Sequence, residues 1–128
     1  MSPEHAGRIL VVDDDPYFLR VLRRILSAEN FQVETAEGAA QAAQALRQNS
    51  FDLVVSDLRL PDGDGLTILQ ELRKAGADTP VVILTAYGEV DSYLEAMNAG
   101  ATEYLNKPVR TEELLDVIRK CLRSRATH

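Results

Sequence analysis

Five side chains in this sequence could do chemistry together: Asp13 and Asp14 in the run DDDP, Asp57 at the end of FDLVVSD, Thr85 at the end of VVILT, and Lys107 in NKP. Each stands at or just beyond a short apolar run. Three carboxylates gathered in one place repel one another, and two unit charges ~4 Å apart cost about 4 kcal/mol even at an effective dielectric of about 20. Such a cluster is tolerable around a cation, and an all-oxygen donor set with few protein ligands suits Mg²⁺, which keeps several of its waters. A metal beside a carboxylate, a hydroxyl and an ammonium group is the equipment of phosphoryl transfer, in which catalysis is mostly positioning and charge stabilisation. In that chemistry Asp57 is the nucleophile and forms an acyl phosphate. Mg²⁺ and Lys107 neutralise the oxygens, and the Thr85 hydroxyl donates to one of them. Taken singly, each residue has a plainer reading. A polar turn with a helix cap accounts for Asp15 and also serves for Asp13 and Asp14, a strand-end threonine is commonly a cap, and a lone lysine is commonly a solvated charge. The phosphoryl-transfer reading rests on their convergence.

That convergence requires a scaffold. Residues 9–12 (ILVV) are continuously apolar and rich in β-branched side chains, as in a strand buried on both faces of a parallel sheet. Pro16 suits the first turn of a helix and Asp15 its N-cap. The helix behind them is predicted to run to about residue 29, with Phe18, Val21, Leu22 and Ile25 inward and Asn30 as a left-handed stop. A second strand at 32–35 (QVET) is short and polar enough for an edge. An alanine-rich helix at 39–48 follows, with Leu46 as its one large anchor. A third strand spans 51–56, a third helix 65–74 ends at Gly76, and a fourth strand at 81–84 closes on Thr85. The fourth helix is predicted over 90–98, the fifth strand over 103–105, and a last helix behind Thr111 as N-cap, with Glu112 and Glu113 in its first turn. Strands alternating with helices in this way build a parallel sheet covered on both faces, with right-handed crossovers, and its ligands gather beyond the carboxyl ends of the strands. All five candidate residues then face one crevice.

Composition narrows the function further. A chain of 128 residues, 45% hydrophobic and 27% charged, makes one globular domain with a real core. A net charge of -6 works against attraction to phosphate backbones, so no direct nucleic acid binding is expected. The one cysteine, Cys121, permits no internal disulfide and fits a reducing compartment. No apolar stretch approaches the ~20 residues of a membrane span, and residues 1–7 lack a signal peptide's hydrophobic segment. A cytoplasmic location follows as the expectation.

The stretches ILVVDDDP, VVSDLRLPDGDG, VVILTAYG and AGATEYLNKP, in this order and at these separations, resemble the receiver domain of bacterial two-component response regulators. The resemblance covers residues 8–122, leaving 1–7 as a flexible lead-in and 123–128 as a tail or the start of a linker. It implies a flavodoxin-like, doubly wound five-stranded parallel sheet in the order 2-1-3-4-5 with five helices. It also implies that Asp57 accepts a phosphoryl group from a sensor histidine kinase, a phosphotransfer protein or a small acyl phosphate. Asp14 and Asp57 would ligate Mg²⁺ with the backbone carbonyl of Arg59, Asp13 would act mainly through water, and Lys107 would pair with the acceptor and then with the phosphoryl group. Thr85 and Tyr104 look like the switch pair, with Thr85 drawn to the phosphoryl oxygen and Tyr104 turning inward. The Lys107 to Pro108 bond is expected to be cis. Such a domain assists its own phosphorylation and dephosphorylation and is not a turnover enzyme.

Phosphorylation in this reading biases two arrangements already accessible. The output surface would be the fourth helix, fifth strand and fifth helix, acting on a downstream effector or fused output domain. Tyr93, on the fourth helix, is either a partner contact or a scattered surface aromatic. A homodimer on activation belongs to the same resemblance, although Val117 stands where an arginine usually serves the charge-paired mode. Kinase choice points to Leu19, Arg20, Arg23 and Val109. Arg59 and Tyr87 are bulky and would flank the path of an attacking water, so slow self-dephosphorylation is expected. Other phosphate-binding and metal-binding readings fail on particular residues. The Gly-Lys-Ser/Thr of a P-loop is absent, and a dinucleotide fold would need glycines where DDDP stands. The GxGxxG pattern begun by Gly63 and Gly65 ends on Ile68, and an EF-hand loop fails at Leu66. A Mg²⁺-dependent phosphohydrolase would pair Asp13 with Asp15 and leave Lys107 and the Asp57 loop partly unexplained. A phosphorylation-independent interaction module would ignore a phosphoryl mimic.

Overall fold

The apolar runs pair side by side, and the amphipathic stretches between them cover both faces. In the computed structural model, which describes residues 6–86 and 90–126, the elements in chain order are β1 (Gly7–Val12), α1 (Pro16–Ala28), β2 (Phe31–Ala36), α2 (Ala39–Gln48), β3 (Leu53–Ser56), β4 (Arg59–Leu60), β5 (Gly63–Asp64), α3 (Gly65–Lys74), β6 (Val81–Thr85), α4 (Val90–Asn98), β7 (Glu103–Asn106) and α5 (Thr111–Ala126). The main sheet is parallel throughout, in the order β2-β1-β3-β6-β7. Counting only its own strands, this is the expected order 2-1-3-4-5, with β2 on the edge. The remaining two strands, β4 and β5, form a small antiparallel ribbon where the sequence predicts only a loop.

Alternation along the strands divides the core in two. Ile9, Val11, Leu53, Val55, Val82 and Leu84 pack against α1 and α5, where Leu22, Leu26, Leu114 and Ile118 meet them. Leu10, Val12, Val54, Val81 and Ile83 face Ala42 and Ala45 of α2, Ile68 and Leu69 of α3, and Ala96 of α4. Cys121 is a buried free thiol on the α5 side, where burial pushes its pKa up.

Several local expectations change. The buried face of α1 is Leu19, Leu22 and Leu26, with Phe18 and Ile25 half-buried and Val21 37% exposed. Apolar residues on α1 outnumber the positions of one stripe, so periodicity alone does not fix its phase. Leu19, 5% exposed, is therefore core rather than a kinase contact, while Arg20 and Arg23 are exposed and Val109 is half-buried. In α2 Ala42 and Ala45 are buried and Leu46 is only partly so, because small side chains let the helix lie close to the sheet. In α5 the Arg110 carbonyl accepts from the Leu114 amide at 3.0 Å, so the cap falls at Arg110 and Thr111 is already helical. The helix continues to Ala126, beyond residue 122. At the other end, Gly7 belongs to β1 and pairs with Phe31.

Candidate functional site

Three of the candidate residues stand one position past a strand, and neighbouring backbone still holds them. The Asp13 amide donates to the Ala36 carbonyl at 3.1 Å, the Asp57 amide to that of Val12 at 2.9 Å, and the Lys107 amide to that of Thr85 at 2.8 Å. These bonds fix three chain ends around the point where strand order reverses beside β1, the place where open α/β sheets collect ligands. The Lys107 to Pro108 peptide is cis, as expected. Asp15 caps α1, accepting from the amides of Tyr17 and Phe18 at 3.0 and 3.4 Å, and Asn30 ends that stretch with φ of 69°.

Oxygens of Asp13, Asp14 and Asp57 lie within 4.8 Å of one another. Asp13 and Asp57 are buried and Asp14 is exposed. Lys107 Nζ bridges the buried pair, 2.5 Å from Asp13 Oδ2 and 3.2 Å from Asp57 Oδ2. The second oxygen of each is also bonded, Asp13 Oδ1 to the Asp15 amide at 3.0 Å and Asp57 Oδ1 to the Arg59 amide at 3.2 Å. The cluster lines a cleft of about 380 Å³ with Arg59, Pro61 and Ala86 among its walls.

The electrostatics are unbalanced. Burial raises the pKa of Asp13 above its ordinary 3.8, even though Lys107 and the Asp15 amide pull the other way. Burial lowers that of Lys107, but Asp13 and Asp57 together outweigh it and hold the ammonium above 10.5. Three carboxylate charges less one ammonium charge leave a net of -2 in the cleft. A divalent cation with a taste for oxygen matches that residue of charge, so the donor set fits Mg²⁺.

Four further residues complete the picture. Thr85 is fully buried at the end of β6, and Ala86 rather than Thr85 lines the cleft. Tyr104 is half-buried on β7 and packs edge-on against Tyr93 of α4, ring centroids 5.4 Å apart at 80°. The Tyr93 ring, 45% exposed, is thus joined to an expected switch residue and is not an isolated surface aromatic. Tyr87 lies outside the described residues.

Sequence reasoning missed one contact. The Phe18 ring lies under Lys107, its centroid 4.3 Å from Nζ, a cation-π distance. Its only signal in the sequence is its place in the first turn of the helix that follows DDD. Phe18→Leu keeps the apolar bulk and removes the ring face, so it is expected to lower stability by about 1 kcal/mol. Urea denaturation reads this, and an unchanged midpoint would mean that the ring does not hold the ammonium.

A doubly wound sheet whose order reverses beside three converging carboxylates and a bridging lysine defines a class of phosphate-handling α/β domain. A family model described as the response regulator receiver domain matches residues 9–119, and the chain belongs to that family. The response regulator MprA of a Mycobacterium species (strain KMS) is 42% identical over 116 residues, covering 91% of this chain and 50% of that protein. The alginate biosynthesis transcriptional regulatory protein AlgB of Pseudomonas aeruginosa is 42% identical over 113 residues, 88% of this chain and 25% of that one. The chain spans a quarter to a half of the length of these relatives. A receiver domain from Methanospirillum hungatei JF-1 superposes with a TM-score of 0.90 at 32% identity, covering 94% of this chain and 96% of that one. The beryllofluoride-activated NtrC4 receiver domain dimer superposes with a TM-score of 0.86 at 32% identity, covering 91% and 97%. Receiver domains are signalling switches rather than turnover enzymes on external substrates, and aspartyl phosphorylation and Mg²⁺ binding are typical of them.

Proposed function

We propose that this domain accepts a phosphoryl group on Asp57, with Mg²⁺ bound, and converts that modification into a change of its α4, β7 and α5 surface. The observation that carries this reading is the Lys107 bridge between Asp13 and Asp57 within a cluster that keeps a net charge of -2. In the transfer from a kinase phosphohistidine, a carboxylate oxygen of Asp57 forms a bond to phosphorus as the phosphorus-nitrogen bond breaks, and the imidazole leaves with the electron pair. Asp14, Asp57 and the Arg59 carbonyl would hold the metal directly and Asp13 through water, and Mg²⁺ supplies charge neutralisation at the phosphoryl oxygens. Lys107 moves its interaction from the acceptor to the new phosphoryl group.

Thr85 is the reporter. Its complete burial keeps the hydroxyl out of the cleft wall, so engaging a phosphoryl oxygen requires a shift that frees space for Tyr104 to turn inward. Because the Tyr104 ring already rests on Tyr93, that turn is felt on α4. Histidine kinases or phosphotransfer proteins are the upstream partners, and an effector or fused output domain the downstream one. Homodimer formation on activation is supported by the dimeric state of the NtrC4 relative. No helix among the described residues is long and apolar enough to cross a membrane, and a cytoplasmic site of action is assigned from the family.

Acetyl phosphate with Mg²⁺ tests the assignment. The wild type is expected to gain one phosphoryl group in mass and Asp57→Ala none, and a gain that persists in the variant would refute Asp57 as the acceptor. The isolated phosphoprotein is expected to lose its group slowly, and faster in Arg59→Ala, because Arg59 lines the cleft and its bulk would hinder an attacking water.

A further inference from the structure

The stretch PDGDG begins four residues after Asp57 and has no part in the chemistry assigned above. Its two carboxylates cap two different helices. Asp64 is the N-cap of α3, accepting from the Thr67 amide at 2.9 Å and the Thr67 hydroxyl at 3.1 Å. Asp62 reaches across the chain to α2. Its Oδ1 accepts from the Ala39 amide at 2.7 Å and its Oδ2 from the Ala40 amide at 3.0 Å. The N-cap residue of α2 is Gly38, which has no side chain to bond these amides, so Asp62 serves in its place.

The fit depends on missing side chains. A Cβ on Gly38 would stand 2.6 Å from Asp62 Oδ1. One on Gly63, where φ is 156°, would stand 3.2 Å from the Cβ of Ala39. The tip of the ribbon and the start of α2 therefore meet at a distance that glycine permits.

The ribbon needs this support. It pairs Arg59 with Asp64 and Leu60 with Gly63, and two residues on each side are too few to be stable alone. At its base the Arg59 amide bonds Asp57 Oδ1 at 3.2 Å and the Gly65 amide bonds the Leu58 carbonyl at 2.9 Å. Leu60 anchors the ribbon in the core beside Ala42 and Ala45 of α2, and at its tip the polar hold on that helix is Asp62. We propose that Asp62 is a positioning residue for the metal-binding loop: by bonding both α2 amides it fixes the backbone that presents the Arg59 carbonyl, and so sets the affinity of the acidic cluster for Mg²⁺. This rests on the metal reading given under the proposed function.

Calorimetric titration of Mg²⁺ into wild type, Asp14→Asn, Asp62→Ala, Gly38→Ala and the Gly38→Ala, Asp62→Ala double variant tests it, with thermal unfolding of each. Alanine suits the extended backbone at Gly38 (φ -163°, ψ 179°), so that substitution acts by displacing the carboxylate and leaves its charge in place. Wild type is expected to bind and Asp14→Asn to fail. Asp62→Ala and Gly38→Ala are each expected to weaken Mg²⁺ binding about tenfold, as loss of a group supporting a metal ligand does. The double variant should be no weaker than either single one, because both remove the same contact. If Asp14→Asn abolishes binding while both single variants keep wild-type affinity and lose only thermal stability, Asp62 is a helix cap alone and the tether is overturned. If wild type does not bind, or Asp14→Asn binds as well as wild type, the metal reading itself falls and the tether's role with it.

Discussion

Lys107→Ala is expected to slow phosphorylation of Asp57 by acetyl phosphate by a factor of about 10² to 10³, the usual cost of removing one charge-stabilising donor from a reacting oxyanion. The same substitution should destabilise the metal-free protein. Lys107 Nζ lies 2.5 Å from Asp13 and 3.2 Å from Asp57, and both carboxylates are buried. Breaking a buried pair from one side leaves charge without compensation and costs about 3 kcal/mol. Burial pulls the ammonium's pKa down, yet the two carboxylates hold it above 10.5. The ion pair therefore stabilises the fold fully below pH 10.5 and is lost as the pH rises through the higher folded value. Mg²⁺ and the ammonium answer the same negative charge. Mg²⁺ at about 100 times its dissociation constant adds about 2.7 kcal/mol to any protein that binds it only when folded. Once the ammonium is gone the cation should bind more tightly, so at fixed Mg²⁺ the rise in Tm should be larger in Lys107→Ala than in wild type. Thermal unfolding with and without Mg²⁺, beside phosphorylation rates, reads both effects. An equal rise in the two proteins, with a wild-type rate, would show that Lys107 does not balance the cluster.

What was legible in the sequence depended on how local its cause is. Asp13 and Asp57 could be placed because each follows a buried strand directly, and Lys107 because it follows the half-buried strand β7, so strand order alone carries them to the same end of the sheet. Helices α2, α3 and α4 begin and end where the sequence predicts, and Gly76 stops α3. The phase of α1 was not legible, because Phe18, Leu19, Val21, Leu22, Ile25 and Leu26 offer more than one apolar stripe and only packing against β1 and α5 selects among them. The β4 and β5 ribbon is too short to leave a periodic signal. Contacts between distant segments were hidden for the same reason: nothing near Gly38 announces that Asp62 will cap its helix, and nothing near Phe18 announces the lysine above it. Thr85 shows the limit in another way. Its position at the strand end was clear, but whether its hydroxyl lines the cleft depends on how the chain turns at Ala86.

Asp13→Asn is expected to stabilise the metal-free protein and to weaken Mg²⁺ binding. Asp13 is 2% exposed, and its burial raises the carboxyl above 3.8 against the pull of Lys107 and the Asp15 amide. At neutral pH the ionised group therefore opposes folding. Asparagine keeps an oxygen for the Asp15 amide, now 3.0 Å from Asp13 Oδ1, and removes the repulsion with Asp57; its amide nitrogen cannot accept from Lys107, which keeps Asp57 as its partner at 3.2 Å. A gain of about 1 kcal/mol, or about 3–5 °C in Tm, is expected at neutral pH for a domain of this size. The pH dependence has a defined sign. With a folded pKa above the unfolded 3.8, the folded protein takes up this proton more readily, so stability grows as the pH falls through the folded value. Asp13→Asn lacks that proton, and the stability difference between variant and wild type should shrink on acidification. Comparing the two proteins at each pH cancels the other carboxylates, including Asp62, whose pKa the Ala40 and Ala39 amides hold down. With Mg²⁺ the order should reverse, since one negative charge of three is gone from the site. Urea denaturation across the acid range, with and without Mg²⁺, measures all of this. A metal-free Asp13→Asn less stable than wild type would mean that the bond to Lys107 outweighs burial, and the acidic cluster would then be balanced without a cation.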